Sequence, residues 1–242
     1  MPEIVLSGQK VAYSVRESRR GRSLRLKISA GGGLEVVIPA GARVGEKDVE
    51  AILLSRAGWI LKHYRLVQTA AAAPERRYIS GETLLFQGRA LTLDVGLKAN
   101  GSRASVLLDG DMLRVRLPAA AGHPNTEAAR AALESWYRAQ AKAYIPRRAA
   151  ELGTQLGFQF GRVSIKGQAT RWGSCSSQNN LNFNWRLMMS PPAAVDYVII
   201  HELCHLKEMN HSRRFWALVG RFCPDYKIWI KWFKTNGQRL RL

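Results

Sequence analysis

Three of the five histidines of this 242-residue chain lie within eleven residues, from His201 to His211. His201 and His205 are four residues apart, in the pattern H-E-x-x-H. Residues four apart share one face of a helix, so both imidazoles could bind one ion while Glu202 lies beside it. Two imidazoles and a neighbouring carboxylate on a rigid helix are the arrangement with which a zinc site activates water. The pattern predicts a site for one Zn²⁺ ion, with Glu202 as the general base.

A third protein ligand would leave one position of the ion open for water. His211 is the preferred candidate, because imidazole suits zinc and the sequence Asn-His-Ser falls at a predicted helix break. Asn210 tolerates the left-handed conformation and could turn the chain there. Glu208, one turn beyond His205, is the alternative third ligand. His63, on an amphipathic helix, and His123, in a Gly-His-Pro loop, are not expected to bind metal.

The histidines need a helix to position them. Ser190 is a good N-cap and Pro191 a good first helical residue. Apolar residues then recur at helical spacing and predict a core-facing side: Val195, Val198, Ile199, Leu203 and Leu206. Two buried, hydrogen-bonded histidines on a core helix would give the same pattern without any metal.

A predicted hairpin leads into this helix. Residues 163–169 read as one strand, and 181–187 alternate between apolar and polar residues with a period of two. The loop 170–177 between them could form a wall of the site, and an extended peptide could pair with the strand edge. The candidates for binding substrate are Arg171, Asn184 and Arg186, for which ordinary structural roles are the alternative.

The rest of the chain divides by pattern into three parts. Strands and one helix are predicted over 1–74, closed by an alanine-rich linker at 69–74. Short strands separated by glycine turns predict an antiparallel meander over 75–119. The catalytic part, 120–242, opens with a helix over about 125–156 that Pro146 is expected to kink or divide.

Charge and composition narrow the possible partners. The chain has 37 Lys and Arg against 18 Asp and Glu, a net charge of +19. This charge favours nucleic acid or nucleotides as partners, although a solvated basic surface explains it equally well. The sequence has no signal-peptide pattern and no membrane-span pattern, which predicts a cytoplasmic protein without a membrane partner. Its three cysteines form no C-x-x-C pair, which argues against a disulfide scaffold.

The segments 170–176, 181–187 and 197–216 resemble the YgjP-like metallopeptidase-type family, a family of predicted metal-dependent hydrolases related to SprT-like and minigluzincin peptidases. This resemblance implies zinc at His201, His205 and His211, with Glu202 catalytic. It also implies an α+β fold with a zincin-like metallopeptidase core, in which helices pack on a small antiparallel sheet, and a β-rich N-terminal extension.

Three functions are compatible with these features. The first is a zinc metallopeptidase that acts on peptides or proteins. The second is a metal-dependent nucleotide (UTP) pyrophosphatase, a label that the resemblance also carries, although no acidic Mg²⁺ cluster supports it. The third is a nucleic-acid-associated protein with structural zinc, which leaves Glu202 without a role.

Overall fold

The structure, a computed structural model, describes residues 1–19, 23–29, 33–71, 76–119, 125–168 and 170–242, with only the backbone for 65–71. The chain divides into two compact units, Met1–Glu75 and Arg76–Leu242. Both units combine helices with small sheets, so the predicted mixed α+β class is confirmed. Much of the predicted linker 69–74 lies outside the described residues.

The first unit is a four-stranded sheet followed by two helices. In chain order these are β1 (Glu3–Leu6), β2 (Gln9–Ser18), β3 (Arg25–Ile28), β4 (Leu34–Pro39), α1 (Glu46–Ser55) and α2 (Ala57–Ala71). The spatial order of the strands is β1-β2-β4-β3, with β2 and β4 parallel. Alternate apolar residues of the strands pack with Val49, Leu53 and Ile60 of the helices into a core that belongs to this unit.

The second unit begins with another four-stranded sheet: β5 (Thr83–Phe86), β6 (Arg89–Lys98), β7 (Ser105–Asp109) and β8 (Met112–Pro118). The spatial order is β5-β6-β8-β7, and β6 pairs with β8 in parallel. The predicted antiparallel meander over this stretch is therefore wrong. Alternation of apolar residues fixes which face of a strand is buried, but it does not fix which strand becomes the neighbour.

The two sheets repeat one motif. Tyr13 lies opposite Leu34 in the first, and Leu93 lies opposite Leu113 in the second. The first hairpin of each sheet closes with a two-residue turn in which both residues have positive φ: 48° and 83° at Ser7-Gly8, and 49° and 79° at Gln87-Gly88. Such turns match the twist of the strands they join. One strand arrangement thus occurs twice in the chain.

A long helix, α3 (Thr126–Leu156), follows the second sheet. Asn125 caps its start through hydrogen bonds from two backbone N–H groups, and Gly157, with φ of 72°, ends it. The helix is not divided at Pro146, contrary to one of the two expectations for that residue. A proline removes one backbone hydrogen bond. Here buried residues at four-residue intervals from Ala129 to Ala149 keep the helix packed on both sides of that position.

A three-stranded sheet and three helices complete the second unit: β9 (Val163–Lys166), β10 (Gly173–Cys175), β11 (Leu181–Asn184), α4 (Pro192–Cys204), α5 (Arg213–Phe222) and α6 (Tyr226–Asn236). The order is β10-β11-β9, so β10 is an edge strand. The strand predicted to reach 187 ends at Asn184. Its side chain accepts a hydrogen bond from the Arg186 N–H and starts a 3₁₀ helix, Trp185–Met189.

The helix that carries the histidines, α4, begins slightly later than predicted. Its N-cap is Pro191, because the Ser190 hydroxyl donates instead to the Leu187 carbonyl. Arg148 of α3 holds α4 through a two-pronged ion pair with Asp196, with N to O distances of 2.8 and 2.7 Å. The residues of 75–119 and of 120–242, which the sequence analysis separates, share one core in the structure.

Candidate active site

The side chains of His201, His205 and His211 converge. Their candidate ligand atoms all lie within 4.8 Å of one another, and the Nε2 atoms of His201 and His211 are 3.0 Å apart. Nitrogen ligands at zinc distances of about 2.0–2.1 Å in a tetrahedral site lie about 3.3 Å from each other. The imidazoles therefore fit a tetrahedral ion, and the competing ligand Glu208 is not in the group.

The turn after α4 both orients His205 and brings His211 back. His205 Nδ1 lies 3.0 Å from the Glu208 carbonyl oxygen, so Nδ1–H donates there and Nε2 is left as the metal-binding atom. The chain leaves the helix at His205 with right-handed φ and ψ angles of −65° and −19°. Asn210 has no positive φ, so the predicted left-handed turn at this residue is wrong. After His205 the N–H groups of Lys207 and Glu208 both donate to the Cys204 carbonyl, at 3.1 and 3.0 Å.

Phe215 is a platform for all three imidazoles. Its buried ring lies 4.9, 4.4 and 4.8 Å from the rings of His201, His205 and His211, measured between centroids. Ser212 caps α5 by accepting the Phe215 N–H at 3.3 Å, and this fixes Phe215 in the first turn of the helix. The histidine rings are thus held by packing as well as by hydrogen bonds.

The histidines open into a pocket of about 680 Å³. One wall is the loop and edge strand 171–175, and another is α6. The aromatic rings of Trp172 and Phe233 pack against each other in its lining, with centroids 5.0 Å apart. Its size is ordinary for a ligand cleft. The remaining lining residues are Tyr197, Val198, Glu202, Met209, Ile230 and Lys234.

Glu202 is buried against the edge strand. A Cβ placed on Gly173 would lie 2.5 Å from Glu202 Oε1, which is closer than real Cβ atoms approach. Only glycine at position 173 therefore leaves room for the carboxyl group. The backbone N–H of Cys175 donates a hydrogen bond to that group. Strand β10 thus both makes space for Glu202 and holds it.

Burial controls the ionisation of the site. It raises the pKa of Glu202 to about 8, against the opposing effects of the Cys175 N–H and the Arg171 charge. Burial, and then the charges of His205 and His211, lower the pKa of His201 to about 3. The pKa of His205 is also lowered, mainly by burial. His201 and His205 are therefore neutral at pH 7, the form in which imidazole binds metal.

The three residues predicted to bind substrate lie in different places. Arg171 lines the pocket. Asn184 is buried, and its amide donates to the backbone carbonyls of Gln168 and Arg171, at 2.6 and 3.0 Å, which orders the loop before β10. Arg186 is not a pocket residue, and its guanidinium lies over the Trp185 ring. Of the two other histidines, His63 stacks on Trp59 in the first unit, and His123 lies outside the described residues.

The sequence reasoning missed several residues of the site. The loop 170–177 was predicted as a wall of the site, and its residues Trp172 and Gly173 do line the pocket. The close approach of Glu202 to Gly173 and the places of Phe215 and Phe233 were not predicted. Only Gly173 carries a local signal, because a glycine within a strand often marks a close approach of another group. The aromatic residues have the spacing of ordinary core residues, and only the tertiary structure brings them to the histidines.

Three imidazoles around one point, with a carboxyl group beside them in a cleft, define a metal-dependent hydrolase site. The family comparison agrees. A model of the YgjP-like metallopeptidase domain matches residues 22–236, and the chain belongs to this YgjP-like family. The predicted family and the predicted class, a metal-dependent hydrolase, are thereby confirmed.

Two solved structures are similar to part of the chain. The metallopeptidase zymogen of Methanocaldococcus jannaschii jannalysin is 22% identical, with a TM-score of 0.31, over 36% of this chain and 92% of its own. The zymogen of Pyrococcus abyssi abylysin is 23% identical, with a TM-score of 0.35, over 38% of this chain and 92% of its own. No curated protein matches the chain.

No helix in the described ranges has the length and apolar character needed to cross a bilayer.

Proposed function

We propose that this chain is a zinc-dependent peptidase in which His201, His205 and His211 hold one ion and Glu202 is the general base. The convergence of three imidazoles on one point, beside a buried carboxyl group, carries this proposal. The zincin-like character of the core, with the first unit as an N-terminal extension, is part of the same proposal.

Zinc is the metal that this ligand set suits best, because three imidazoles are a known catalytic zinc set with one open position. When bound, the ion would act as a Lewis acid and lower the pKa of water towards about 7. Its positive charge would also favour the ionised form of Glu202, whose pKa burial alone raises.

Residues of the chain would transfer the proton of the attacking water and hold the groups that take part. Glu202 accepts a proton from water at a carboxylate oxygen and passes it to the leaving amine nitrogen. The Cys175 N–H and the space at Gly173 keep the carboxylate in place. Tyr197, whose ring centroid lies 5.9 Å from that of His201, keeps its phenol proton, because burial raises its pKa to about 12. We assign it as a donor to the oxygen on which negative charge develops.

A peptide is the substrate that the pocket walls favour. Strand β10 is at the edge of its sheet, and its residues Gly173–Cys175 line the pocket. An extended peptide can pair with such an edge through backbone hydrogen bonds. The apolar wall of Trp172, Ile230 and Phe233 would then receive a substrate side chain.

Paired assays test this function. The zinc-loaded chain is incubated with a casein digest, with products read by mass spectrometry, and separately with UTP, with release of pyrophosphate measured. We expect cleavage of peptide bonds that stops on addition of a chelator and returns with zinc, and no turnover of UTP. Turnover of UTP without peptide cleavage, or no turnover of either, would overturn the proposal.

A further inference from the structure

A second group of polar side chains lies around Trp185, at the start of the 3₁₀ helix before α4. Its indole ring is fully buried and is flanked by two guanidinium groups. Arg186 Cζ lies 4.4 Å from the ring centroid, and Arg138 Cζ, on α3, lies 5.4 Å from it. None of these three residues lines the histidine pocket. The group is therefore separate from the candidate active site.

The donors of this group are not satisfied within the part of the chain that the structure describes. Trp185 Nε1 and Arg186 Nη1 are both buried and have no hydrogen-bond partner there. Native proteins rarely leave buried donors unpaired, because each such donor loses its hydrogen bonds to water without a replacement. A guanidinium group has five N–H donors and no acceptor, so it needs an acceptor, and the described residues supply none to Arg186 Nη1.

The charges of the group are also unbalanced. The nearby carboxylate of α3, Glu134, is already engaged with Arg138. Burial lowers the pKa of Arg186, and so do the charges of Arg138, Arg241 and Arg130, while Glu134 alone opposes them. An acceptor that carries negative charge would compensate this group better than a neutral water molecule.

Two donors from different elements pack closely against Gly167. A Cβ placed on Gly167 would lie 2.6 Å from Arg138 Nη2 and 3.0 Å from Trp185 Nε1. A side chain at this position would therefore clash with both groups. Guanidinium groups bind the oxygen atoms of phosphate and carboxylate through paired N–H donors.

We propose that Arg138, Trp185 and Arg186 form a binding site for a small oxyanion of the phosphate or carboxylate kind. The ligand accepts from Trp185 Nε1 and Arg186 Nη1 and lies against the Arg138 guanidinium. The site requires neither the metal nor the peptidase activity, so it stands or falls apart from the proposed function.

Calorimetric titration at constant ionic strength tests the site, with inorganic phosphate and succinate as separate probes and with the chain both zinc-loaded and metal-free. We expect one probe to bind once per chain, with or without metal. Tighter binding of phosphate would identify a phosphoryl group, and tighter binding of succinate would identify a carboxylate. Arg186→Gln should weaken binding about ten- to hundredfold, the loss expected for a charged hydrogen bond.

Arg147→Gln is the matched control, because Arg147 is an exposed arginine of α3, 3.7 Å from its partner Glu151. It should leave the affinity within about twofold of the original, since an exposed charge contributes little. If Arg186→Gln does not fold, Arg186→Lys replaces it, and we expect weaker binding because lysine lacks the planar fork. Binding that is absent in the parent chain, unchanged by both Arg186 variants, or weakened equally by Arg147→Gln would overturn the proposal.

Discussion

The two four-stranded sheets have the same strand order and register, but their surroundings differ. The first packs with α1 and α2 into a core of its own. The second shares its core with α3 and with α4, the helix that carries the histidines. The same strand motif therefore forms a sheet in both units. Among the described residues, only the second sheet shares a core with the helix that carries the candidate metal ligands.

The equivalent hairpin turns of the two sheets differ in what surrounds them. A Cβ on Gly8 would meet nothing within 4 Å, whereas a Cβ on Gly88 would lie 3.1 Å from Pro191 Cα. The N–H groups of Gln87 and Gly88 donate to the carbonyls of Met188 and Met189, at 2.7 and 3.3 Å. The second turn is thus docked on the segment that leads into α4. Matched substitutions in the two units can test this contrast.

The largest difference is expected for the histidines of the two units. His205→Ala removes a proposed ligand, so the chain should lose its zinc and its hydrolase activity together. His63→Ala, which affects a ring stacked on Trp59 in the first unit, should leave both unchanged. Zinc content by atomic absorption and activity in the same samples would check this pair. Full zinc content in His205→Ala would contradict the ligand assignment.

A glycine pair should give the next largest difference. Gly173→Ala forces a Cβ against the Glu202 carboxylate, and we expect activity to fall about a hundredfold, as small misplacements of catalytic groups do. Zinc binding should survive. Gly58→Ala, in α2, meets nothing within 4 Å and should stabilise the first unit by about 0.4–1 kcal/mol. Steady-state kinetics and denaturant unfolding would measure the two effects, and a fully active Gly173→Ala would count against the role of this glycine.

Substitutions of equivalent core leucines can separate an effect on stability from an effect on function. Leu34 and Leu113 lie at corresponding positions of the two sheets and are both fully buried. Truncation of either to alanine should destabilise its unit by about 2–5 kcal/mol. Only Leu113→Ala should also lower the temperature at which activity is lost. Equal thermal inactivation of the two variants would show that the catalytic unit depends on the first sheet as well.

The hairpin glycines should give the smallest difference. Gly8→Ala carries only the cost of a positive φ, about 1–2 kcal/mol. Gly88→Ala carries the same cost and, in addition, about 1–3 kcal/mol for the clash with Pro191. Urea unfolding of the two variants would measure the gap. If the two variants lose equal stability, docking of the second turn contributes nothing.

The sequence was informative where chemistry is local. The spacing of His201 and His205 predicted one shared helix face, and the alternation over 181–187 predicted a strand where β11 lies. Expectations failed where distant contacts decide. Nothing local indicates that β8 inserts between β6 and β7, or that Phe215 lies under three imidazoles. Strand β11 also ends before the predicted residue 187, because the Asn184 side chain accepts a hydrogen bond from the Arg186 N–H.

The most direct test of the account is to measure zinc content and peptide hydrolysis together in Glu202→Gln. The variant should bind one zinc ion as tightly as the parent chain and lose at least about a thousandfold in hydrolysis, since it keeps the ligands but not the base. Glu208→Gln is the matched control and should retain both properties, because only its backbone carbonyl holds His205. Peptide hydrolysis that survives in zinc-loaded Glu202→Gln would contradict the central claim.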